Sequence, residues 1–261
     1  MARYQQHAAW MTTVTILAAI GCGGGHPQAA PATQAQPPPA TPAASGQTAT
    51  GSASITGSVK FSGTAPAKER IKMDADPQCA LQHPDAVYKE TVALNANGTL
   101  KNVFVHITKG LEGRAFPAPT QAVKMEQRGC MYSPHVLGVQ ANQPFEIVND
   151  DATLHNVNCK PVNNKPFNIA QPVKGMKSTK TFTTPEVMVK CICNVHPWMA
   201  SFVGVVDHPY YAVTGEDGRF TLAGLPAGQY TIEAWQEALG TQTQTVTVGD
   251  GDTKSVTFDF K

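Results

Sequence analysis

The stretch Cys193-Asn194-Val195-His196-Pro197-Trp198-Met199 places a thiol, an imidazole and a thioether within seven residues. These groups are three of the four ligands of a type 1 copper site, which is built from two His, one Cys and a weakly bound axial Met. Soft sulfur donors also select copper over ions that prefer oxygen. The sequence therefore predicts Cys193, His196 and Met199 as metal ligands on one loop, and it requires a second imidazole from elsewhere.

The second imidazole is predicted to be His155. It follows the strand-like run 145–148, so it would approach the loop from a neighbouring strand. His135 in Ser133-Pro134-His135 is the competing candidate for the same position. The site is therefore expected to consist of one loop and one remote histidine.

With these ligands in place, the chain resembles the cupredoxins, and its short C-x2-H-x2-M loop is more amicyanin-like than plastocyanin-like. The resemblance covers residues 121–206 and is carried by Tyr132-Ser133-Pro134, the alternating region 136–148, His155-Asn156-Val157, the run 181–186 and the strand 202–206. It implies a Greek-key β-sandwich that holds one copper ion and transfers electrons.

The same resemblance implies roles for residues beside the ligands. Asn156 would support the ligand loop, and its backbone N–H would reach the thiolate sulfur. Pro197 would stiffen the loop. An uncharged apolar rim around His196, formed by Val195, Trp198 and Phe202, would be the surface on which a redox partner protein docks.

The N-terminus is typical of an exported protein. An apolar segment of 13 residues, 8–20, is too short for a permanent membrane helix, which needs about 20 residues, and it predicts a signal peptide over residues 1–21. Ala19-Ile20-Gly21 before Cys22 resembles a bacterial lipobox, so lipid on Cys22 is expected to tether the protein to a membrane in the periplasm or at the cell surface. Cleavage nearby by an ordinary signal peptidase is the alternative. Residues 22–53, rich in Pro, Ala, Gly and Thr, are expected to be a disordered tether.

Six cysteines fit this exported context. If Cys22 carries lipid and Cys193 binds copper, four thiols remain for two disulfides, with three possible pairings. Cys191 and Cys193 point to the same side of a strand, and Cys159 lies four residues after His155 on the other strand approaching the metal. Cys159 with Cys191 is therefore the preferred bridge, which leaves Cys79 with Cys130.

From residue 54 onward, short alternating apolar runs separated by turn residues predict an all-β chain. Asn97-Gly98 predicts a hairpin. Predicted strands lie at 55–61, 87–94, 101–107, 122–126, 145–148, 178–182 and 187–192. The copper sandwich is expected to span residues 54–206.

The last part of the chain changes character. Asp217-Gly218 and Pro226-Ala227-Gly228 join further strand-like runs, and residues 207–261 resemble the carboxypeptidase regulatory-like, or transthyretin-like, β-sandwich. That family's opening strand is missing after residue 207. The run 55–61 resembles it, so this strand belongs either to the second sandwich or to the first.

Several classes are disfavoured. A formal net charge of +1 with no basic tract argues against nucleic acid binding. A c-type haem needs C-x-x-C-H, which the run 191–196 lacks, and a structural zinc site would leave Met199 unexplained. A binuclear copper site would need Cys191 and Cys193 to bridge two ions, but alternate strand residues lie nearly 7 Å apart.

No catalytic arrangement is recognised, so we expect an electron carrier and not an enzyme. A copper chaperone or sequestering protein and a metal-free scaffold or adhesion module are the alternatives.

The anchoring hypothesis leads to a first prediction. Full-length protein expressed in a bacterium should partition into the detergent phase, and Cys22→Ala should move it to the soluble fraction because the lipid is attached through that sulfur. Phase separation of the two proteins measures this. Exported wild-type protein that is already soluble would contradict the prediction.

Overall fold

The structure is a computed structural model that describes residues 51–261. The predicted signal peptide (1–21), Cys22 and nearly all of the predicted tether (22–53) lie outside these residues. The described chain is almost entirely β-structure, as the sequence predicts, and its helix α1 (Pro77–Leu81) has a single turn. Among residues 51–261, no helix is long and apolar enough to cross a membrane.

The strands are numbered in chain order. The first nine are β1 (Ala53–Phe61), β2 (Ala93–Leu94), β3 (Leu100–Lys101), β4 (Phe104–Lys109), β5 (Val123–Arg128), β6 (Met131–Ser133), β7 (Val136–Gln140), β8 (Pro144–Asn149) and β9 (His155–Cys159). The others are β10 (Phe167–Gln171), β11 (Lys177–Thr181), β12 (Glu186–Ile192), β13 (Ala200–Val206), β14 (Tyr211–Val213), β15 (Arg219–Leu225), β16 (Gly228–Gln236), β17 (Gly240–Val248) and β18 (Thr253–Phe260).

The first β-sandwich contains the ligand loop. Its sheets have the strand orders β10-β9-β12-β13-β7 and β11-β8-β5-β6. Apolar side chains of both sheets share one buried core, including Phe145 and Ile147 of β8 with Val189 of β12 and Val203 of β13. Because the loop joins β12 to β13, the predicted ligands lie at one end of this sandwich.

The second β-sandwich is built from both ends of the described chain. Its sheets have the orders β15-β1-β18 and β14-β4-β16-β17. Strand β1 pairs antiparallel with β15 and parallel with β18, with Ile55 opposite Leu222 and Lys254. The strand 55–61, which the sequence left open, therefore belongs to the second sandwich, and the expected boundary of the first sandwich at 54 is corrected by β4, which pairs with β14 and β16. Alternation along one strand cannot identify its partner in a distant part of the chain.

The two sandwiches meet through a third apolar cluster. Phe104 of β4 is fully buried there, and Tyr211 packs beside it with ring centroids 5.7 Å apart. Gly138 and Gly204 are paired in register on β7 and β13. A Cβ atom at Gly138 would lie 2.2 Å from the Tyr211 ring, and one at Gly204 would lie 2.5 Å from the Phe104 ring. The paired glycines therefore let the aromatic rings of one sandwich approach the backbone of the other.

Two predicted strands differ from the structure. The run 101–107 is divided because Asn102 adopts a positive φ of 63° and its N–H donates to the Thr214 carbonyl, 2.9 Å away. Of the run 87–94, only Ala93 and Leu94 form a strand. The predicted hairpin at Asn97-Gly98 is confirmed, with β2 and β3 antiparallel and Gly98 at φ 76°.

The position of β1 leads to a second prediction. Ile55→Ala should lower the free energy of unfolding by about 2–5 kcal/mol, because the fully buried side chain leaves a cavity in the second core. Lys60→Ala on the same strand is the control. Its side chain is exposed, so it should change stability by less than about 0.5 kcal/mol. Denaturant unfolding measures both, and equal effects would show that β1 does not pack in this core.

Candidate metal centre

Two neighbouring strands bring the predicted ligands together. Cys159 of β9 lies opposite Cys191 of β12, so His155 at the start of β9 lies beside the loop that follows β12. The loop closes on itself, because Cys193 N–H donates to the Met199 carbonyl at 3.2 Å and Met199 N–H donates to the His196 carbonyl at 3.0 Å. Both chain segments are therefore fixed by backbone hydrogen bonds.

The donor atoms converge in the interior. The Nδ1 atoms of His155 and His196 are 2.9 Å apart, and Cys193 Sγ is 3.8 Å from His196 Nδ1. The donor atoms of His155, Cys193 and His196 all lie within 4.8 Å of one another. Met199 is fully buried in the same core as Cys193. The sequence-predicted residues thus lie at one place, and the first three offer one thiol and two imidazole nitrogens to one point.

Cys193 is the one cysteine of residues 51–261 outside a disulfide, and it is 3% exposed. Burial alone would raise the pKa of its thiol, but hydrogen bonds from His155 and from the backbone of Asn156, His196 and Val195 lower it to about 6. The N–H of His196 contributes at 3.4 Å from Sγ. The metal-free centre therefore holds a thiolate at neutral pH, which is the form that binds a metal.

His155 is fixed by a buried carboxylate. Its Nε2 lies 2.9 Å from Asp151 Oδ2, and Asp151 also accepts the N–H groups of Gly129 (2.8 Å) and Cys130 (2.7 Å). Burial opposes the charged forms of both side chains. Hydrogen bonding nevertheless raises the pKa of His155 and lowers the pKa of Asp151. Because Nε2 is held by Asp151, Nδ1 is the nitrogen that faces Cys193 and His196, and a metal would bind Nδ1 in place of its proton.

Asn156 links the two chain segments of the centre. Its Oδ1 accepts the N–H of Asn194 in the ligand loop, and its Nδ2 donates to Asn168 Oδ1 on β10. Its backbone N–H is among the groups that lower the pKa of Cys193. The Tyr132 hydroxyl donates to the Asn156 carbonyl, and burial together with the nearby Cys193 raises the pKa of Tyr132. Asn156 therefore lies where it can hold the loop and the sulfur together.

The structure forms both disulfides that the sequence favours. Cys159–Cys191 joins β9 to β12, directly behind the ligands on those strands. Cys79–Cys130 joins α1 to the turn between β5 and β6. The second bridge lies against the centre, since Cys79 Sγ is 3.6 Å from His196 Nε2. Both cross-links therefore brace the end of the sandwich that carries the loop.

The structure corrects the expected exposure of His196 within the docking patch, because His196 is 2% exposed. Its Nε2 faces Asp76 Oδ2 at 3.0 Å. The Trp198 indole is partly buried and donates to the Cys130 carbonyl at 2.9 Å, while Phe202 packs against Trp235 at the junction of the sandwiches. Of the patch, Val195 is 45% exposed. Pro197 is exposed beside it. The three patch residues therefore do not surround an open imidazole edge.

The cover over His196 was missed from the sequence. It comes from residues 71–83, which leave the second sandwich after β1 and pack Ile71, Met73 and Cys79 into the first core. Asp76-Pro77 is a helix-start signature, an N-cap residue followed by Pro at the first helical position, and it could have revealed α1. It could not have revealed what α1 covers, because that contact spans 120 residues of sequence.

His135, the competing imidazole, does not point to the centre. Its Nδ1 lies 3.2 Å from the Ala200 carbonyl, and its Nε2 lies 3.3 Å from Glu237 Oε1 near the second sandwich. Its ring contacts Phe202 edge-on. The imidazole from outside the loop is therefore His155.

Residues 203–261 match the family model of the carboxypeptidase regulatory-like domain. The comparison with curated proteins gives no match.

Among solved structures, the chain is similar to three copper proteins. The first is a Cu-containing nitrite reductase from Thermus scotoductus SA-01 (23% identity, TM-score 0.32), with 40% of this chain aligned to 25% of that one. The second is a purple cupredoxin from Nitrosopumilus maritimus (25% identity, TM-score 0.28), with 31% aligned to 97%. The third is a Cu(I) form of an amicyanin mutant (20% identity, TM-score 0.30), with 40% aligned to 98%. These likenesses are distant, so the assignment of a metal rests on the side chains of the centre.

The thiolate leads to a third prediction. In the metal-free full-length chain, the ultraviolet absorbance of the Cys193 thiolate should disappear as the pH falls through about 6. In denaturant, the midpoint of this titration should return to near the ordinary thiol pKa of 9.0. Because the folded pKa is the lower one, this group stabilises the fold fully above pH 9. That contribution is lost as the pH falls through 6. Subtracting the Cys193→Ser titration isolates the signal, and a folded midpoint above 8 would contradict the prediction.

Proposed function

We propose that this protein is an exported, membrane-tethered type 1 copper protein that carries single electrons between redox partners. The observation that carries the proposal is the convergence of the Cys193 thiolate with the Nδ1 atoms of His155 and His196 in a buried site. Cys193, His155 and His196 would hold the copper, and Met199 would be its weak axial ligand. We place the protein among electron carriers and not among enzymes.

The donor set fits copper by its chemistry. Two other groups of potential ligands occur in the described chain, namely Cys79/Cys130/His196 and Cys130/Asp151/His155. Both contain Cys130, and the first also contains Cys79; these two cysteines are joined in a disulfide and offer no thiolate. The group that retains a thiolate is therefore His155/Cys193/His196. Zinc also accepts Cys and His, but it gives no reason for a buried thioether on the same loop.

The protein's own contribution is a fixed set of ligands. Bound copper would supply one-electron chemistry by alternating between Cu(I) and Cu(II). Asp151 orients His155, Asn156 holds the loop to the neighbouring strands, and the Cys159–Cys191 bridge fixes those strands to each other. Ligands held in this way keep their positions when the charge of the metal changes, which suits electron transfer.

Burial of the centre favours a carrier over a chaperone. A chaperone must present its metal to an acceptor, and acceptor ligands approach most easily along an exposed ligand edge. Here His196 is covered, and both sulfurs of the loop are buried. A redox partner would have to approach the loop at its exposed residues, including Val195 and Pro197, and the electron would cross the protein surface to reach the metal.

The proposal leads to a fourth prediction. Full-length protein loaded with one equivalent of Cu(II) should show an intense visible thiolate-to-copper band, and Cys193→Ser should abolish it because the thiolate creates the colour. Met199→Leu should retain the band and raise the reduction potential, since the weak axial ligand tunes the potential. Met176→Leu is the matched control, because Met176 is partly exposed and lies outside the loop. Optical titration and voltammetry measure these effects.

Three outcomes would count against the proposal. A colourless one-to-one Cu(II) complex would exclude a type 1 site. Rapid, quantitative loss of copper to a weak chelator would favour a chaperone. A chain that binds no copper would leave the scaffold alternative.

A further inference from the structure

Residues 71–83 form a strap over the metal centre. Its base is closed by antiparallel pairing of Arg70 with Tyr88 and by the Ile71 N–H, which donates to the Val87 carbonyl at 2.9 Å. Its apolar residues pack into the first core, and His83 Nε2 donates to the Gly129 carbonyl at 2.6 Å. The strap is therefore a built part of the centre and not a loose connection.

Asp76 is the residue of the strap that reaches a ligand. It is the N-cap of α1, and its Oδ1 accepts the Gln78 N–H at 2.8 Å. Its Oδ2 lies 3.0 Å from His196 Nε2 and accepts the Thr153 hydroxyl at 3.1 Å. Each carboxylate oxygen thus has a hydrogen-bond partner. Rotation of the carboxylate that moved Oδ2 away from His196 would also break the capping hydrogen bond from Gln78 to Oδ1.

The contact fixes which nitrogen of His196 carries the proton. A carboxylate only accepts, so Nε2 must be the N–H, and the Nδ1 lone pair then faces Cys193 and His155. Asp151 likewise faces His155 Nε2, so both histidines have a carboxylate behind them and Nδ1 toward the centre. In the metal-free protein His155 can donate from Nδ1 to the His196 Nδ1 lone pair, and a bound metal would take both Nδ1 lone pairs in place of that proton.

The Cys79–Cys130 disulfide holds Asp76 in register. Cys79 lies three residues after Asp76 on α1, and Cys130 donates its N–H to Asp151. The carboxylates behind the two histidines are thus connected through one covalent bridge. A shift of the strap would change the orientation of His196 and the environment of Asp151 together.

We infer that Asp76 is a positioning residue for the copper ligand His196, and that the strap delivers a carboxylate from outside the first sandwich to complete the centre. This inference rests on the proposed function and extends it to a residue that is not a ligand. Asp76 holds the ring proton on Nε2, makes Nδ1 a stronger donor, and adds negative charge that favours Cu(II) over Cu(I).

The experiment uses Asp76→Asn in the full-length chain. Asn caps helices about as well as Asp, so α1 is kept while the charge is removed. With its oxygen on the Gln78 N–H, the Asn amide would turn its NH2 toward His196 and move the ring proton to Nδ1, which faces the metal. Copper affinity should fall by about 10- to 100-fold, and the reduction potential of the copper that binds should rise. Asp74→Asn, an exposed carboxylate on the same strap, is the control for charge and should change neither.

A second measurement does not need copper. Nitrogen-15 NMR of the His196 ring in the metal-free protein should report a proton on Nε2 in the wild type and in Asp74→Asn, and a proton on Nδ1 in Asp76→Asn. Asp76→Ser keeps a helix cap, but its side chain is too short to reach the His196 ring. This variant should therefore also weaken copper binding. Agreement of the two variants would show that the lost contact, and not misfolding of the Asn variant, causes the effect.

The outcomes separate the two proposals. If the wild type lacks the visible band, the proposed function fails, while the NMR comparison still decides whether Asp76 sets the tautomer. If the wild type is blue and Asp76→Asn has the same affinity, potential and ring tautomer, the positioning role is overturned and the proposed function stands. Equal changes in Asp74→Asn and Asp76→Asn would also overturn it, because they would reflect net charge alone.

Discussion

The buried thiolate of Cys193 is the constraint on which the rest of this end of the molecule depends. A charge removed from water is costly unless hydrogen bonds and opposite charge compensate it. The chain supplies N–H donors from its own loop and from Asn156, and it places His155 beside the sulfur. Every element around the centre can be understood as holding one of these donors in place, including the two disulfides and the hydrogen bonds that close the loop.

The same constraint would be met by a cation at this point. Besides the thiolate, the carboxylates of Asp151 and Asp76 lie behind the two histidines. With a metal absent, the imidazoles are the nearest groups that can offset this negative charge. A cation at the point where the donors converge would offset the charge of all three acidic groups, and its binding energy would add to the stability of the fold.

The sequence predicted most of the centre because its signals are local. Three predicted ligands lie within seven residues, and the register of Cys191 and Cys193 on one strand predicted the correct disulfide with Cys159. Sheet membership was less predictable. Residues of β4 such as Phe104 alternate as expected of any strand, and the pattern does not say that Phe104 packs against Gly204 of the other sandwich. Exposure of His196 was wrongly expected for a similar reason, since Asp76 covers it from 120 residues away.

The path of the chain relates the second sandwich to the metal centre. The segment that contains the strap leaves that sandwich after β1 and returns to it at β2 and β3, where Val92 and Leu100 pack in the second core. Its middle reaches across to the first core through Ile71, Met73 and Cys79. The strands β5 to β13 contain all four predicted ligands, but they contain neither Asp76 nor Cys79. The carboxylate that orients His196 therefore lies on a segment whose two ends belong to the second sandwich, while the first core and the Cys79–Cys130 bridge hold it in place.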